Sequence, residues 1–137
     1  FMLQAGAPRL LAAGVWVPGL QPGDPRRVAL EGYPGVLARA AVGRVSYKSD
    51  TAAGRTPARE QARRAIVAAL ESGRLLAQPV VMDDALREAC IADPQGDVLD
   101  AALCAVQAAW AQQRRDRHFG LPPDLDPVEG WIVGTSR

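Results

Sequence analysis

Histidine, cysteine and aromatic residues are scarce in this sequence, and their scarcity limits the kinds of site that it can build. The 137 residues contain one histidine and two cysteines, and only 5% of the residues are aromatic. The cysteines, Cys90 and Cys104, lack the C-x-x-C spacing of zinc sites. We therefore expect reduced thiols and neither a disulfide framework nor a structural zinc site.

The sequence also lacks a strong charge imbalance and a long apolar run. Its 16 basic and 15 acidic side chains leave a formal charge of +1, which neither demands nor excludes a nucleic-acid partner. No unbroken apolar stretch approaches the roughly 20 residues that span a bilayer. The first residues also lack the pattern of a secretion signal. We therefore expect a soluble cytoplasmic protein that has no membrane partner.

The composition that remains favours a helix-rich domain. Hydrophobic residues make up 48% of the chain, and alanine and leucine predominate over the β-branched and aromatic residues. A chain of this length suffices for one hydrophobic core, so residues 1–137 are interpreted as a single domain. The opening "FMLQAGAPRLLAAG" reads as the middle of an amphipathic helix without a cap. This pattern indicates that an N-terminal portion is missing.

Turn and capping residues divide the chain into predicted elements. The best predicted strand is "RRVALEGYP", which places Glu31 at its carboxyl end. Shorter strands are predicted in "VWVPGL" and at Val80 to Met82, and "VEGWIVG" is predicted as a final strand or packing segment. The predicted helices are Pro34–Gly43, a helix from the Thr56 cap to Gly73, one from Asp83/Asp84 to Ile91, and one within Gln95–Gln113.

The last of these helices carries Asp97 and Asp100 at the start of an otherwise apolar sequence, and two interpretations compete. In the first, Asp97 is the N-cap and Asp100 takes the position of the capping-box acid. In the second, the i, i+3 pair shares a divalent cation with acids from elsewhere in the fold. A helical wheel places both aspartates beside Cys104 and Gln107, next to the main apolar face.

A strand end that carries Glu31 would fit beside the two aspartates. Three neighbouring carboxylates repel one another unless a cation lies among them. Oxygen ligands of this kind suit Mg²⁺ or Mn²⁺ better than zinc. On this interpretation Glu31, Asp97 and Asp100 are metal ligands.

Four segments in this order resemble the C-terminal part of an uncharacterised prokaryotic family described as predicted nucleases of the RNase H fold. They are "VALEGYPGVLAR", "GRVSYKSD", "GDVLDAALCAVQAAWA" and "DPVEGWI", which together span Val28 to Ile132. The resemblance implies an α/β domain with a mixed sheet flanked by helices. It matches Glu31 to the acid at the end of the fourth strand, and Asp97 and Asp100 to the D-x-x-D of the final helix. The family's first strands, with their aspartate, have no counterpart here.

The function implied by the resemblance is metal-dependent hydrolysis of DNA or RNA, with Glu31, Asp97 and Asp100 as catalytic residues and Mg²⁺ or Mn²⁺ as cofactor. An incomplete sheet would also leave an exposed edge that favours pairing with another copy of the chain. Two alternatives stay open. One is a non-catalytic RNase H-like module that binds nucleic acid or a protein, and the other is a small helical interaction protein whose aspartates are caps.

Basic residues near the predicted site are candidates for contacts with the phosphate backbone. The alternative for the arginines of the helix that follows Thr56 is an ordinary solvated face. Asp126 and Glu129 would add a fourth acid if the tail folds back, and a solvated turn is the alternative. The proposed backbone contacts are Lys48, Arg55, Arg59 and Arg63, with Tyr47 and Arg64 beside them.

Overall fold

The computed structural model describes residues 2–126 and 128–135 and shows a helix-rich α/β chain. Within these residues, no helix is both long and apolar enough to traverse a bilayer. The α-helices are α1 (Met2–Ala12), α2 (Pro34–Val42), α3 (Pro57–Glu71), α4 (Asp84–Ala92) and α5 (Asp97–Gln112). Short 3-10 segments cover Ala52–Gly54 and Arg115–Gly120.

The predicted capping residues begin the helices as expected. The Thr56 hydroxyl accepts a hydrogen bond from the backbone N–H of Arg59, and Pro57 is the first residue of α3. The Asp83 carboxylate accepts one from the N–H of Leu86 at 2.7 Å at the start of α4. Pro34 opens α2 in the same way as Pro57 opens α3. Local sequence therefore decides where these three helices start.

The sheet is smaller than the sequence predicts. In the described chain it consists of β1 (Val15–Trp16) and β2 (Asp24–Val28), which pair in parallel with an irregularity in the register. The prediction that this strand continues to Glu31 is wrong, because only an isolated parallel bridge to Ile132 follows it. The strand predicted at residues 80–82 is also wrong, since these residues are not in a strand.

The core consists of two clusters, and α5 belongs to both. The larger cluster packs α2, α3, α4 and the first half of α5, with Ile66, Leu70, Leu99 and Leu103 fully buried. In the smaller one, the side chains of Trp16 and Val28 from the sheet pack with Phe119 and Val133 at the far end of α5. Burial of this kind stabilises the fold by about 25 cal/mol per Å² of apolar surface. The start of α5 lies at the helical end of the molecule, opposite the sheet.

Candidate functional site

At the start of α5, the backbone N–H groups are bound by the side chain of Asp93, which neither sequence interpretation considered. Asp97 is the first helical residue and the N-cap is Gly96, so the prediction that Asp97 is the cap is wrong. The carboxylate of Asp93 lies before the helix and accepts hydrogen bonds from the N–H groups of Gln95 at 3.0 Å and Val98 at 3.1 Å. Burial alone would raise the pKa of Asp93, but these backbone N–H groups, led by that of Val98, lower it. Asp97 is consequently left exposed.

Asp100 is bound by two side chains from the loop between α2 and α3. Its Oδ1 accepts a hydrogen bond from the Tyr47 hydroxyl at 2.6 Å, and its Oδ2 lies 2.5 Å from the Lys48 ammonium. Both carboxylate oxygens therefore have a partner inside the fold, and Asp100 does not act as a capping-box acid. We name Tyr47, Lys48, Asp97 and Asp100 the α5 cluster.

The ionisation of the α5 cluster follows from these contacts. Burial, and then the hydrogen bond to Asp100, raise the pKa of the Tyr47 phenol above its ordinary value, so the phenol stays protonated. The hydrogen bond to Asp100 raises the pKa of Lys48, and the negative charges of Asp97 and Asp50 add to this effect. Lys48 is thus a stable cation surrounded by carboxylates, and its side chain remains 44% exposed.

A glycine allows the loop of Tyr47 and Lys48 to lie against the turn before α5. Gly96 has φ 77°, in the left-handed region, and a Cβ built on it would lie 3.0 Å from Cβ of Lys48. The N–H of Ser49 also donates a hydrogen bond to the carbonyl of Pro94 at 2.9 Å. These contacts dock the segment "GRVSYKSD" onto the start of "GDVLDAALC", two of the four segments on which the family resemblance depends.

Glu31 is not gathered into the same group of acids. Its side chain is exposed, and its Oε2 would lie 3.2 Å from a Cβ added to Gly130. Among the residues that the structure describes, no three histidine, cysteine, aspartate or glutamate side chains are arranged to hold a metal ion. Glu31 thus stays a candidate by resemblance alone.

The segment after Glu31 nevertheless contacts α5. The N–H of Tyr33 donates to Oε1 of Gln107 at 3.0 Å, and Nε2 of Gln107 donates to the carbonyl of Val133 at 2.7 Å. Gln107 is fully buried, although the sequence analysis placed it on the same side of the helix as the acids. An amide in a helix that is otherwise apolar was the signal for this link, since a buried amide requires hydrogen-bond partners.

The α5 cluster on its own does not suit a divalent cation. Asp97 and Asp100 offer only two carboxylates, and Mg²⁺ or Mn²⁺ usually takes further oxygen ligands. The ammonium of Lys48 also occupies the position beside Oδ2 of Asp100 that a cation would need. The described residues therefore do not fit the metal that the resemblance implies.

Of the predicted phosphate contacts, Arg63 is not available. Its side chain is buried, and Nε and Nη1 donate hydrogen bonds to the carbonyls of Ile91 at 2.6 Å and Tyr47 at 2.8 Å. The solvated-face interpretation fails for Arg63 and holds for Arg64, which is exposed and pairs with Glu60 at 2.7 Å. Arg63 is a structural residue that holds the loop of Tyr47 by a hydrogen bond to its backbone carbonyl.

The other predicted phosphate contacts differ in their exposure and in whether their side chains are already hydrogen-bonded. Arg59 is half-buried and donates a hydrogen bond to the carbonyl of Gly54 at 2.5 Å. Arg55 is exposed, and its side chain has no hydrogen bond or ion pair with the part of the chain that the structure describes. Asp126 accepts hydrogen bonds from the N–H groups of Val128 and Glu129, which favours the turn interpretation of these tail acids.

Comparison with known proteins gives one finding. A family model described as "Protein of unknown function (DUF429)" matches residues 7–124. No curated protein and no solved structure matches the chain. Because the family model covers far more than half of the 137 residues, the chain belongs to the DUF429 family of proteins of unknown function.

Proposed function

We propose that this chain is part of an RNase H-like nuclease domain that acts on DNA or RNA, and that the α5 cluster is the end of the domain that meets the substrate. The observation that carries the proposal is the binding of Asp100 by Tyr47 and Lys48. This contact brings two separate segments of the family resemblance together at one point. A carboxylate, a phenol and an exposed ammonium at one helix end are groups suited to a phosphodiester.

Within this proposal Asp97, Asp100 and Glu31 are the catalytic candidates, and Mg²⁺ or Mn²⁺ is the ion that the family resemblance implies. The described residues do not fit a metal by themselves, so no step of hydrolysis is assigned to them. What the chain itself supplies is a fixed Asp100, an exposed Asp97 and a cation at Lys48.

A second candidate function is a nucleic-acid-binding module without catalysis. The observation that favours it is that each oxygen of Asp100 already has a partner, Tyr47 or Lys48, and that the Lys48 ammonium offsets the negative charge that would attract a metal. In this case Asp100 serves to position Lys48 for a phosphate. The two functions differ in whether the nucleic acid is cut.

The experiment that separates them is a cleavage assay on end-labelled single-stranded and duplex DNA and RNA, with Mg²⁺, with Mn²⁺ and with a chelator, run beside a mobility-shift assay of binding to the same substrates. The variants are Asp97→Asn/Asp100→Asn and, as a matched control on another helix, Asp83→Asn/Asp84→Asn. Metal-dependent cleavage that only the first pair abolishes supports the nuclease. Binding without cleavage supports the module, and neither binding nor cleavage by the wild type contradicts both.

A further inference from the structure

A second surface of the molecule borders the α5 cluster. It is a groove of about 750 Å³ between α2 and the loop that follows it. Three basic residues line it, Arg39, Arg44 and Lys48, together with Tyr33, Tyr47 and Val45. We refer to it as the α2 groove.

Two of the three charges of the α2 groove, those of Arg39 and Arg44, are not neutralised by the described residues, whereas Lys48 is paired with Asp100. Arg39 and Arg44 are exposed, and their side chains make no hydrogen bond or ion pair with any described residue. No acidic side chain is among the described residues that line the groove. Since the whole chain carries a formal charge of only +1, this concentration of positive charge is local and calls for an anionic ligand.

The groove also offers an aromatic surface. Tyr33 is 57% exposed, although it lies directly before α2 and its backbone N–H is held by Gln107. A Cβ added to Gly35 would lie 3.0 Å from Cζ of Tyr33, so the glycine leaves room for the ring to lie against the backbone at the start of the helix. Val45 is likewise 54% exposed at the rim. The groove thus places an exposed aromatic ring and an exposed aliphatic side chain beside its basic residues.

Cations that follow a groove together with an exposed aromatic ring are the combination with which proteins bind single-stranded nucleic acid. The cations contact successive phosphates, and the ring stacks on a base that is not paired in a duplex. We infer that the α2 groove binds a single strand of DNA or RNA, with Arg39, Arg44 and Lys48 on its phosphates and Tyr33 stacked on one base. Lys48 lines the groove and binds Asp100, so the strand would lead directly to the α5 cluster. This inference rests on the proposed function and names the path of its substrate.

The test is binding of fluorescently labelled single-stranded oligonucleotides to the full chain, measured by anisotropy over a series of salt concentrations. Arg39→Ala/Arg44→Ala is compared with Arg26→Ala/Arg117→Ala, which removes the same charge from exposed positions toward the sheet end of the molecule. Loss of two phosphate contacts should make the slope of log K against log salt shallower by about 1.4, because each contact to a single strand contributes about 0.7. The control pair should leave the slope unchanged.

Two further variants test the stacking of a base. Tyr33→Ala should weaken binding by about tenfold, whereas Tyr33→Phe keeps the ring and should bind like the wild type. All these side chains are exposed, so the variants should fold, and their circular dichroism checks this. A duplex of the same length should bind more weakly, since its bases are not free to stack.

Each contrary result overturns the inference. Equal losses of affinity and of salt slope in the groove variant and the control variant would mean that the oligonucleotide is attracted by the overall charge and not by the groove. An unchanged affinity in Tyr33→Ala, or equal affinity for the duplex, would exclude a single strand with a stacked base. If the wild type cleaves or binds nucleic acid and the groove variants behave like it, only the groove is wrong. If the wild type binds no oligonucleotide even at low salt, the proposed function fails together with the groove.

Discussion

The hydroxyl of Tyr47 donates a hydrogen bond to Asp100 at 2.6 Å, joining residues that are 53 positions apart in the chain. Lys48 binds the other oxygen of the same carboxylate. Because the loop of Tyr47 and Lys48 has no regular secondary structure between α2 and the 3-10 turn at residues 52–54, this carboxylate is a principal anchor of its position. Together with the hydrogen bonds from Arg63 to Tyr47 and from Ser49 to Pro94, this aspartate fixes the geometry of the α5 cluster.

Replacing Asp100 with asparagine should loosen this loop. The variant loses a charged acceptor shared by Tyr47 and Lys48, and since Lys48 is partly exposed we expect a loss of about 1 kcal/mol in the free energy of unfolding. Asp97→Asn is the control, because exposed Asp97 contributes little beyond its interaction with the helix dipole. Denaturant unfolding measures the free energy of unfolding of both variants. Equal effects of the two substitutions would show that Asp100 does not anchor the loop.

The Tyr47 phenol should titrate above the pH at which a free tyrosine does. Its pKa in the folded protein is raised from 10.0, so its contribution to stability is complete below pH 10.0 and is lost as the pH rises through the folded value. Lys48, whose pKa is also raised, changes stability in the same direction. The absorbance of tyrosinate in Tyr33→Phe reports Tyr47 alone, since the chain has two tyrosines. A midpoint at the ordinary tyrosine value would contradict the buried contact.

Gly96→Ala should destabilise the protein for two separable reasons. The left-handed backbone at φ 77° costs a non-glycine residue about 1–2 kcal/mol. The new methyl group would also press on Lys48, 3.0 Å away. Gly14→Ala is the control, because Gly14 has φ 64° and the added Cβ would lie 3.7 Å from Nη2 of Arg27, an ordinary contact with the end of a flexible side chain. Thermal unfolding should show the larger loss for Gly96→Ala, and an equal loss would mean that Lys48 is not packed against the turn.

Arg63→Ala should be far more damaging than substitution of its neighbour on the same helix. It leaves the buried carbonyls of Ile91 and Tyr47 without their donor, which should cost about 2–4 kcal/mol. Arg64→Ala removes an exposed ion pair and should cost within about 0.5 kcal/mol. Urea unfolding of both variants measures the difference. Similar, small losses in the two would contradict a structural role for Arg63.

Local sequence signals predicted the helices well and the sheet poorly. Caps such as Thr56 and Asp83 act on N–H groups three residues away, so the residues beside them suffice to place a helix start. A strand depends on partners distant in the chain. The run from Val28 to Glu31 has a strand-like sequence, but among the described residues Glu31 forms a single isolated bridge, to Ile132.

The candidate site was predicted in its residue types but not in its contacts. The aspartates of α5 stood out because few charges interrupt that helix, yet the sequence could not show that Asp93 caps it or that Lys48 binds Asp100. Arg63 looked like its exposed neighbours because helical periodicity alone does not reveal that two carbonyls from other elements surround it. Such pairings are set by tertiary packing.

A nucleic-acid site at the α5 cluster is tested most directly by amide chemical-shift mapping of the isotope-labelled chain during titration with a short single-stranded oligonucleotide. The shifts should be concentrated in residues 33–49, which include the α2 groove, and in residues 96–101 at the start of α5. The shifts of residues 96–101 should diminish in Asp97→Asn/Asp100→Asn. Shifts confined to the sheet end around Trp110 and Phe119, or no shifts at all, would contradict a nucleic-acid site at the α5 cluster.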